Sequence, residues 1–555
     1  MALAFAERYG YVSSGVRMKQ TPKLLALLSA LALCAAAFAL TRAGAAGAGP
    51  GQGPSEQRRG LTPQERRGKA IYLRGESPSG REIEAAVSDV VVPASTVTCA
   101  GCHGLRGEGK TEAGITAGAL TWPHLLTSHT HPTGRTHGAF DEASFARAVT
   151  AGVDPAGNRL AAAMPRFRMS AEDMADLLAY LRRVGSEAEP GLSETAVRVG
   201  TILPARGALA TAGAAMRDVL AGYFEDLNAR GGVYGRRVEL RAGEMGADAP
   251  ATAAAARRLI EQEEVFALVG GMSAGADAEL AALARETETP FIGPATLLPQ
   301  HDSPVNRQVF YLLPGLGEQA RALVNFYARR RPGAQNRVAV VYVKSGVAAA
   351  AAAAAEAQCR KAGCGTVQKI SFDPAGLDAA ALVRSLKGAD AVFFFGTGRE
   401  ETSFIREAAA AGWTPDVLLL GALTAGDLAA GVPAAFKNRV FVAFPTAPAD
   451  ITPAGLAEFR ALQEKYKIAA RHTASQLAAY AAAKVFAEAL RRSGRDLSRE
   501  KLVTALEGLY DFETGLTPRI TFGPNRRVGA AGANVLSVDP EKKEFAPAGG
   551  WVNAY

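Results

Sequence analysis

The sequence predicts a multidomain chain: a small all-α domain followed by a larger α/β domain of two doubly wound lobes. Three observations predict it. The chain has 555 residues, too many for one ordinary core and enough for two to four domains at roughly 100–200 residues each. Two spacers, 46–60 and 186–195, interrupt the periodic regions and mark off a first module at 61–185 and a second at 196–555. From Val197 onward, short β-branched or apolar runs alternate with amphipathic stretches that often end at Gly, the signature of parallel βαβ units. Apolar residues at 48% and charged residues at 21% exclude global disorder.

The N-terminus, 1–45, reads as an export signal. Arg17, Lys19 and Lys23 precede an apolar run over 24–40, and Ala43-Gly44-Ala45 offers small residues at an A-x-A spacing. The run falls short of the ~20 residues of a membrane span, so cleavage is expected. An uncleaved segment would instead tether the protein to the membrane. Met18, just before the basic stretch, is an alternative start. Cys34 follows Leu33, which is not the small residue a lipid-attachment site needs, and reads as part of the signal core. The formal charge of +8 halves without this segment, because Arg8, Arg17, Lys19, Lys23 and Arg42 oppose only Glu7. No remaining stretch is basic enough to argue for nucleic acid.

The chemistry lies in the first module. Cys99-Ala100-Gly101-Cys102-His103 is a C-x-x-C-H sequence, the attachment signature of haem c. Two thiols three residues apart can each bond one vinyl group of a single covalent haem. The next residue then faces the iron, which makes His103 the expected proximal ligand. A Cys pair alone also fits a redox dithiol or half a zinc site. The adjacent His, the export signal and the lack of a second Cys pair in this module argue against both. For the sixth position His124, His129, His131, His137, Met164, Met169 and Met174 are available. Met164-Pro165 follows a Gly/Asn turn and an Ala run, where a loop can present a thioether to a flat ring, and is the expected ligand. Met169 precedes the helix cap formed by Ser170 and Asp173 and is the alternative. Met174 stands at helical spacing with Leu177, Leu178 and Leu181 and reads as core. The histidines lie in a polar, turn-rich stretch and read as solvated.

With Gly68 and Tyr72 on a first helix, Leu177 and Tyr180 on a last, and Met164-Pro165 about 60 residues after His103, the module resembles a class I monohaem cytochrome c over 61–184. The resemblance implies that the two terminal helices cross at those residues. It also implies that the carbonyl of Pro123 accepts the Nδ1 proton of His103 and so fixes its tautomer. The loop 128–140, with three of the spare histidines, departs from that family.

In the second module, 197–203, 237–240, 265–270, 291–293 and 309–313 read as strands, followed by 337–343, 367–372, 391–396, 417–421 and 440–444. Stretches such as 214–230 and 400–411 read as helices, as do the alanines 348–355, because Ala has the best helix propensity. Val197-Arg198-Val199-Gly200, Asn228-Ala229-Arg230-Gly231-Gly232-Val233-Tyr234-Gly235, Val269-Gly270-Gly271, Pro294-Ala295-Thr296 and Ala410-Ala411-Gly412-Trp413 carry a resemblance. The region is similar to periplasmic solute-binding proteins of the branched-chain amino acid type, the periplasmic-binding-protein type I fold. That implies two lobes, a ligand cleft at the strand C-termini, and a hinge of three crossings, two of them near 313–315 and 444–445.

The pocket departs from that family. Its amino-acid binders hold the carboxylate with hydroxyls and backbone N–H groups after the third and fourth strands, where this sequence reads Ser273-Ala274-Gly275 and Ala295-Thr296-Leu297. They hold the ammonium with an acid after a second-lobe strand, where this sequence reads Gly421-Ala422-Leu423-Thr424. A buried ammonium without a counter-charge costs on the order of several kcal/mol. A neutral or apolar small molecule, or a cleft kept as a docking surface, fits better than an unmodified amino acid. Ser273, Ala274, Ala295, Thr296 and Thr424 are the candidate ligand contacts, with helix capping the other reading of the hydroxyls.

Cys359 and Cys364 flank a helix end and read as a disulfide in an oxidising compartment. No nucleophile–base pair, metal-ligand cluster or phosphate loop stands out, so no enzyme is expected. The reading is a periplasmic electron carrier with a redox partner, dehydrogenase or oxidase, and a small-molecule ligand. The alternative is the receptor of an ABC importer, docking on an ABC permease, with the haem as a redox sensor.

Overall fold

The structure is a computed structural model. It describes residues 61–555 apart from positions 89, 113–114, 132–133, 187–188, 302–303, 333–335, 375 and 425. The export segment with Cys34 and the spacer 46–60 lie outside the described residues. No described helix is long and apolar enough to cross a membrane. The chain divides into two compact units, the second running from Glu189 to Tyr555.

The first unit is organised by a helix crossing. The helix Pro63–Arg74 starts at Thr62, whose hydroxyl accepts the Glu65 N–H at 3.2 Å while the Glu65 carboxylate accepts the Thr62 N–H at 2.6 Å. It crosses the helix Ala171–Leu181, capped by Ser170. At the crossing the backbones nearly touch: a Cβ on Gly68 would lie 1.9 Å from the Asp176 carbonyl oxygen. Tyr72, wholly buried, packs on Tyr180 with ring centroids 5.6 Å apart, and Arg67 pairs with Asp176 at 2.6 Å. The crossing expected from Gly68, Tyr72, Leu177 and Tyr180 is the one found.

The all-α expectation for this unit needs correcting. The strands β1 (Glu84–Val87), β2 (Val90–Pro93) and β7 (Arg166–Arg168) form an antiparallel sheet in the order β2-β1-β7. Two short ribbons form separately: β3 (Lys110–Glu112) with β4 (Ile115–Ala117), and β5 (His129–Thr130) with β6 (Thr136–His137). The physical reason is the β-branched run Val90-Val91-Val92 and a cross-strand pair, Ala85 opposite Phe167, both buried.

The second unit has two lobes. The first carries β8 (Ala196–Leu203), β9 (Arg237–Glu244), β10 (Ala267–Val269), β11 (Phe291–Ile292) and β12 (Val309–Phe310), all parallel in the order β12-β11-β10-β8-β9. The second carries β13 (Arg337–Val343), β14 (Thr366–Phe372), β15 (Ala391–Phe395), β16 (Asp416–Leu420) and β17 (Val440–Phe444), parallel in the order β14-β13-β15-β16-β17. Every position of β15, β16 and β17 is buried, as helices on both faces require. All ten strands read from the sequence are present. Two further strands, β18 (Gly532–Asp539) and β19 (Glu544–Asn553), extend the second sheet antiparallel. The alanine run lies within the helix Gly346–Ala362, capped by Ser345.

The chain crosses between lobes three times. It leaves β12 for the helix Leu316–Arg330 through Gly315, where a Cβ would come 2.1 Å from Pro299 Cδ. After β17 it returns, and the helices Thr473–Ser493 and Arg499–Glu507 bury their apolar faces in the first-lobe core. Arg499 locks them there by donating to the carbonyls of Val265, Phe266 and Thr287 at 2.7, 2.9 and 3.0 Å. The third crossing, not located from the sequence, runs beside the first: Gly529 N–H donates to Tyr311 O at 2.8 Å and Ala530 N–H to Leu312 O at 2.9 Å before β18 begins.

Replacing Gly68 by Ala should lower the thermal stability of the first unit by about 1–3 kcal/mol through overpacking. Gly138→Ala, in open space, should change it little. Calorimetry of the two variants checks this.

Candidate functional site

The C-x-x-C-H residues form the short helix Cys99–His103, started by Thr98, whose hydroxyl accepts the Gly101 N–H at 3.2 Å. One helical turn puts Cys99 and Cys102 on the same face. Cys99 packs against the core, Cys102 is exposed, and the two thiols are not joined. The Tyr72 hydroxyl donates to the Gly104 carbonyl at 2.7 Å and ties this turn to the helix crossing.

His103 Nδ1 lies 2.7 Å from the carbonyl oxygen of Gly118. A carbonyl only accepts, so Nδ1 carries the proton and Nε2 keeps its lone pair for a metal. Burial pushes the His103 pKa down, which favours the neutral, ligating form. The acceptor expected at Pro123 is therefore corrected to Gly118. Pro123 sits inside the helix Trp122–Leu125, whereas Gly109 N–H to His103 O at 2.8 Å and the β3–β4 ribbon fold the intervening chain back to bring Gly118 over the ring.

The three methionines separate cleanly. Met174 is a core residue, and Met169 packs against the same core. Met164 is half-buried at the end of a turn, its N–H on Ala161 O at 3.1 Å. Arg166 holds that loop: its guanidinium donates to Leu160 O at 3.1 Å and to Met164 O. The guanidinium lies over Gly152, where a Cβ would come 1.8 Å from Arg166 Nε and where φ is +69°. Two thiols on one turn, a tautomer-fixed imidazole and a thioether on a braced loop make a donor set that fits haem c, which supplies one-electron chemistry at its iron when bound.

The spare histidines are packed together rather than singly solvated. His124 and His129 stack with ring centroids 3.8 Å apart, and His131 Nε2 lies 3.0 Å from His137 Nε2 and 2.9 Å from Arg135 Nη2. Arg135 in turn pairs with the buried Asp154 at 2.7 Å. Among the described residues no group of three or more His, Cys, Asp or Glu is arranged to hold a metal ion.

In the second unit, Ser273, Ala274, Ala295 and Thr296 come together at the C-terminal edge of the first-lobe sheet, after β10 and β11. The Ser273 N–H donates to Ala295 O at 3.2 Å, and the Ala295 N–H to Gly271 O at 2.7 Å. Ala274 is left-handed at φ +39°. Thr424 stands apart, after β16, its hydroxyl on Gly421 O at 3.1 Å. The residue that sequence reasoning missed is Asp277, the first of the helix Asp277–Glu286 and itself buried. The Ser273 hydroxyl donates to its Oδ1 at 2.5 Å, and the Thr296 hydroxyl donates to the same oxygen. The only signal for it was an acid four residues after Ser273.

Residues 196–543 match the family model described as periplasmic binding protein. The chain belongs to that family. Residues 94–185 match the cytochrome c family, so the chain joins a cytochrome c domain to a periplasmic binding protein domain. A Leu/Ile/Val-binding protein homolog 7 of Brucella abortus is 27% identical over 338 residues, 58% of this chain and 83% of that protein. A Leu/Ile/Val-binding protein homolog 8 of Brucella suis is 27% identical, covering 62% of this chain and 90% of its own length. Among solved structures, a putative branched-chain amino acid ABC transporter from Rhodospirillum rubrum superposes with a TM-score of 0.54 at 20% identity, over 64% of this chain and all of that one. The fold of the binding protein domain is thereby that of periplasmic binding proteins of type I. Within it, Cys359 and Cys364 stand side by side as buried free thiols, with the Cys364 N–H on Cys359 O at 3.1 Å.

For the cytochrome c domain, Met164→Ala should abolish the weak sulfur-to-iron band at the red end of the spectrum and let cyanide bind, while Met169→Ala keeps both properties. Arg166→Ala should weaken the same band without loss of haem, because it loosens the loop and removes no ligand. Absorption spectra with and without cyanide decide both.

Proposed function

We propose that the protein is a periplasmic electron carrier, exported by 1–45, with one covalent haem c on Cys99 and Cys102, ligated by His103 and Met164. It also captures a small molecule other than an amino acid in its second unit. The observation that carries this reading is the His103 Nδ1 to Gly118 carbonyl bond at 2.7 Å, which presents Nε2 from the turn that bears both thiols. The redox partner is a dehydrogenase or oxidase, and the thioether raises the potential of the iron relative to a harder ligand.

The ligand reading is supported by the second lobe. The stretch after β16, Gly421–Thr424 in sequence, has no acid. Glu401 is wholly buried, and burial holds its carboxyl well above the usual carboxylate range, which disfavours its charged form. Glu400 is engaged as a cap, accepting the Thr397 N–H at 3.2 Å and its hydroxyl at 2.7 Å. An amino acid's ammonium would meet no counter-charge in the stretch after β16.

The second reading, a receptor docking on an ABC permease with the haem as sensor, is favoured by the binding protein fold alone. The two are separated by reduction kinetics: an electron carrier is reduced rapidly and reversibly by its partner with no ligand present. Reduction that requires a bound solute would support the receptor. We also place a disulfide at Cys359–Cys364 in the exported protein.

Leucine, isoleucine and valine at millimolar concentration should give no thermal shift, whereas a ligand that binds the folded state at micromolar Kd should raise Tm. Thiol titration of the denatured, exported protein, with 1–45 and its Cys34 removed, should find no free thiol, because two of the four remaining cysteines carry haem and two are paired. Two free thiols would remove the disulfide.

A further inference from the structure

Asp277 changes what the cleft asks of its ligand. Ser273 and Thr296 follow β10 and β11, and the parallel strands put them on the edge of the sheet where ligands of open α/β sheets bind. The loop bearing Thr296 abuts the lobe junction: Leu316 N–H, at the start of the first second-lobe helix, donates to Leu297 O at 2.9 Å. Leu297 on this loop and Leu209 after β8 leave exposed apolar side chains on that edge.

A hydroxyl has one proton and two lone pairs. The Ser273 proton is directed to Asp277 Oδ1 at 2.5 Å, with Ala295 O more distant at 3.4 Å. The Thr296 proton goes to the same carboxylate oxygen, and its own oxygen accepts the Leu298 N–H at 2.8 Å. Both protons are thus spent inside the protein. What the half-buried Thr296 offers a ligand is a lone pair, backed by the buried Ser273 and the buried Asp277 carboxylate. A ligand carboxylate placed there meets acceptors and a like charge. A ligand that donates hydrogen bonds meets the complement.

We propose that Asp277 is the specificity-determining residue of the cleft, and that it converts this subsite to one for a hydrogen-bond donor without negative charge, an ammonium or hydroxyl head group on an apolar body. This rests on the reading of the second unit as a solute-binding domain.

The test uses the full-length haem-loaded protein and a thermal-shift panel of small amines, alcohols and carboxylates, anchored by three probes that share a branched chain: 3-methylbutylamine, 3-methylbutan-1-ol and 4-methylpentanoate. Hits are measured by calorimetry on wild type, Asp277→Asn and Asp277→Ala. Asn removes the charge and keeps an acceptor for both hydroxyls, whereas Ala also frees their protons. The expected result is that wild-type hits are amines or alcohols, at least tenfold tighter than the matched carboxylate. Carboxylate affinity should rise from wild type to Asn to Ala, at least tenfold over the series, while amine affinity falls. Wild-type binding of a carboxylate as tight as that of its matched amine or alcohol, or a ranking unchanged in both variants, overturns the proposal and leaves the solute-binding reading standing. A panel with no hit in any of the three folded proteins overturns the solute-binding reading, and the role of Asp277 with it.

Discussion

The near contact of two backbones at Gly68 and Asp176 is the constraint on which the first unit depends. Only a residue without a Cβ lets the helices Pro63–Arg74 and Ala171–Leu181 approach so closely. That approach buries Tyr72 and aims its hydroxyl at the Gly104 carbonyl, the residue that ends the C-x-x-C-H turn. The position of His103 is therefore set from two sides. The helix crossing holds the turn from behind, and the Gly118 carbonyl orients the ring from the front. A metal ligand held in this way loses little freedom when iron is bound, and an electron carrier benefits from a site that needs little rearrangement between oxidation states.

The binding protein domain follows a different logic. Its two sheets are separate cores, and the covalent link between them is three strands of backbone. Two of these, beside Tyr311 and Gly529, hydrogen-bond to each other, so they bend as one. The His301 ring on the first-lobe loop reaches Glu318, buried on the helix Leu316–Arg330, at 2.7 Å, and Tyr555 donates to the same carboxylate at 3.2 Å. Tyr555 thus lies against the helix that follows the first crossing.

Legibility in the sequence followed the physics of each element. Parallel strands buried on both faces need continuous apolar runs, so β13, β15, β16 and β17 were readable to within a residue or so. The strands β18 and β19 were not. Gly532, Asn534, Gly549 and Gly550 have poor strand propensity, and the pairing is supplied by neighbours: β18 adds to β17, and β19 adds to β18. C-x-x-C-H was readable because its chemistry demands two cysteines and a histidine at fixed spacing. The acceptor of His103 was not, because every residue carries a carbonyl and only the fold of the β3–β4 ribbon selects Gly118. Asp277 stayed hidden for a related reason. An acid in the first turn of a helix is ordinary, and only the third dimension brings the Thr296 hydroxyl, from a loop nineteen residues on, to the oxygen that Ser273 already holds.

The central claim is a haem bonded to the chain through two cysteines. Intact mass spectrometry of the protein matured in a periplasm equipped for haem attachment, followed by extraction of the denatured protein with acidic organic solvent, tests it most directly. The account predicts a mass increased by one haem that survives the extraction and stays with the peptide containing Cys99 and Cys102. A polypeptide mass with no addition, or a haem that leaves into the solvent, would contradict it.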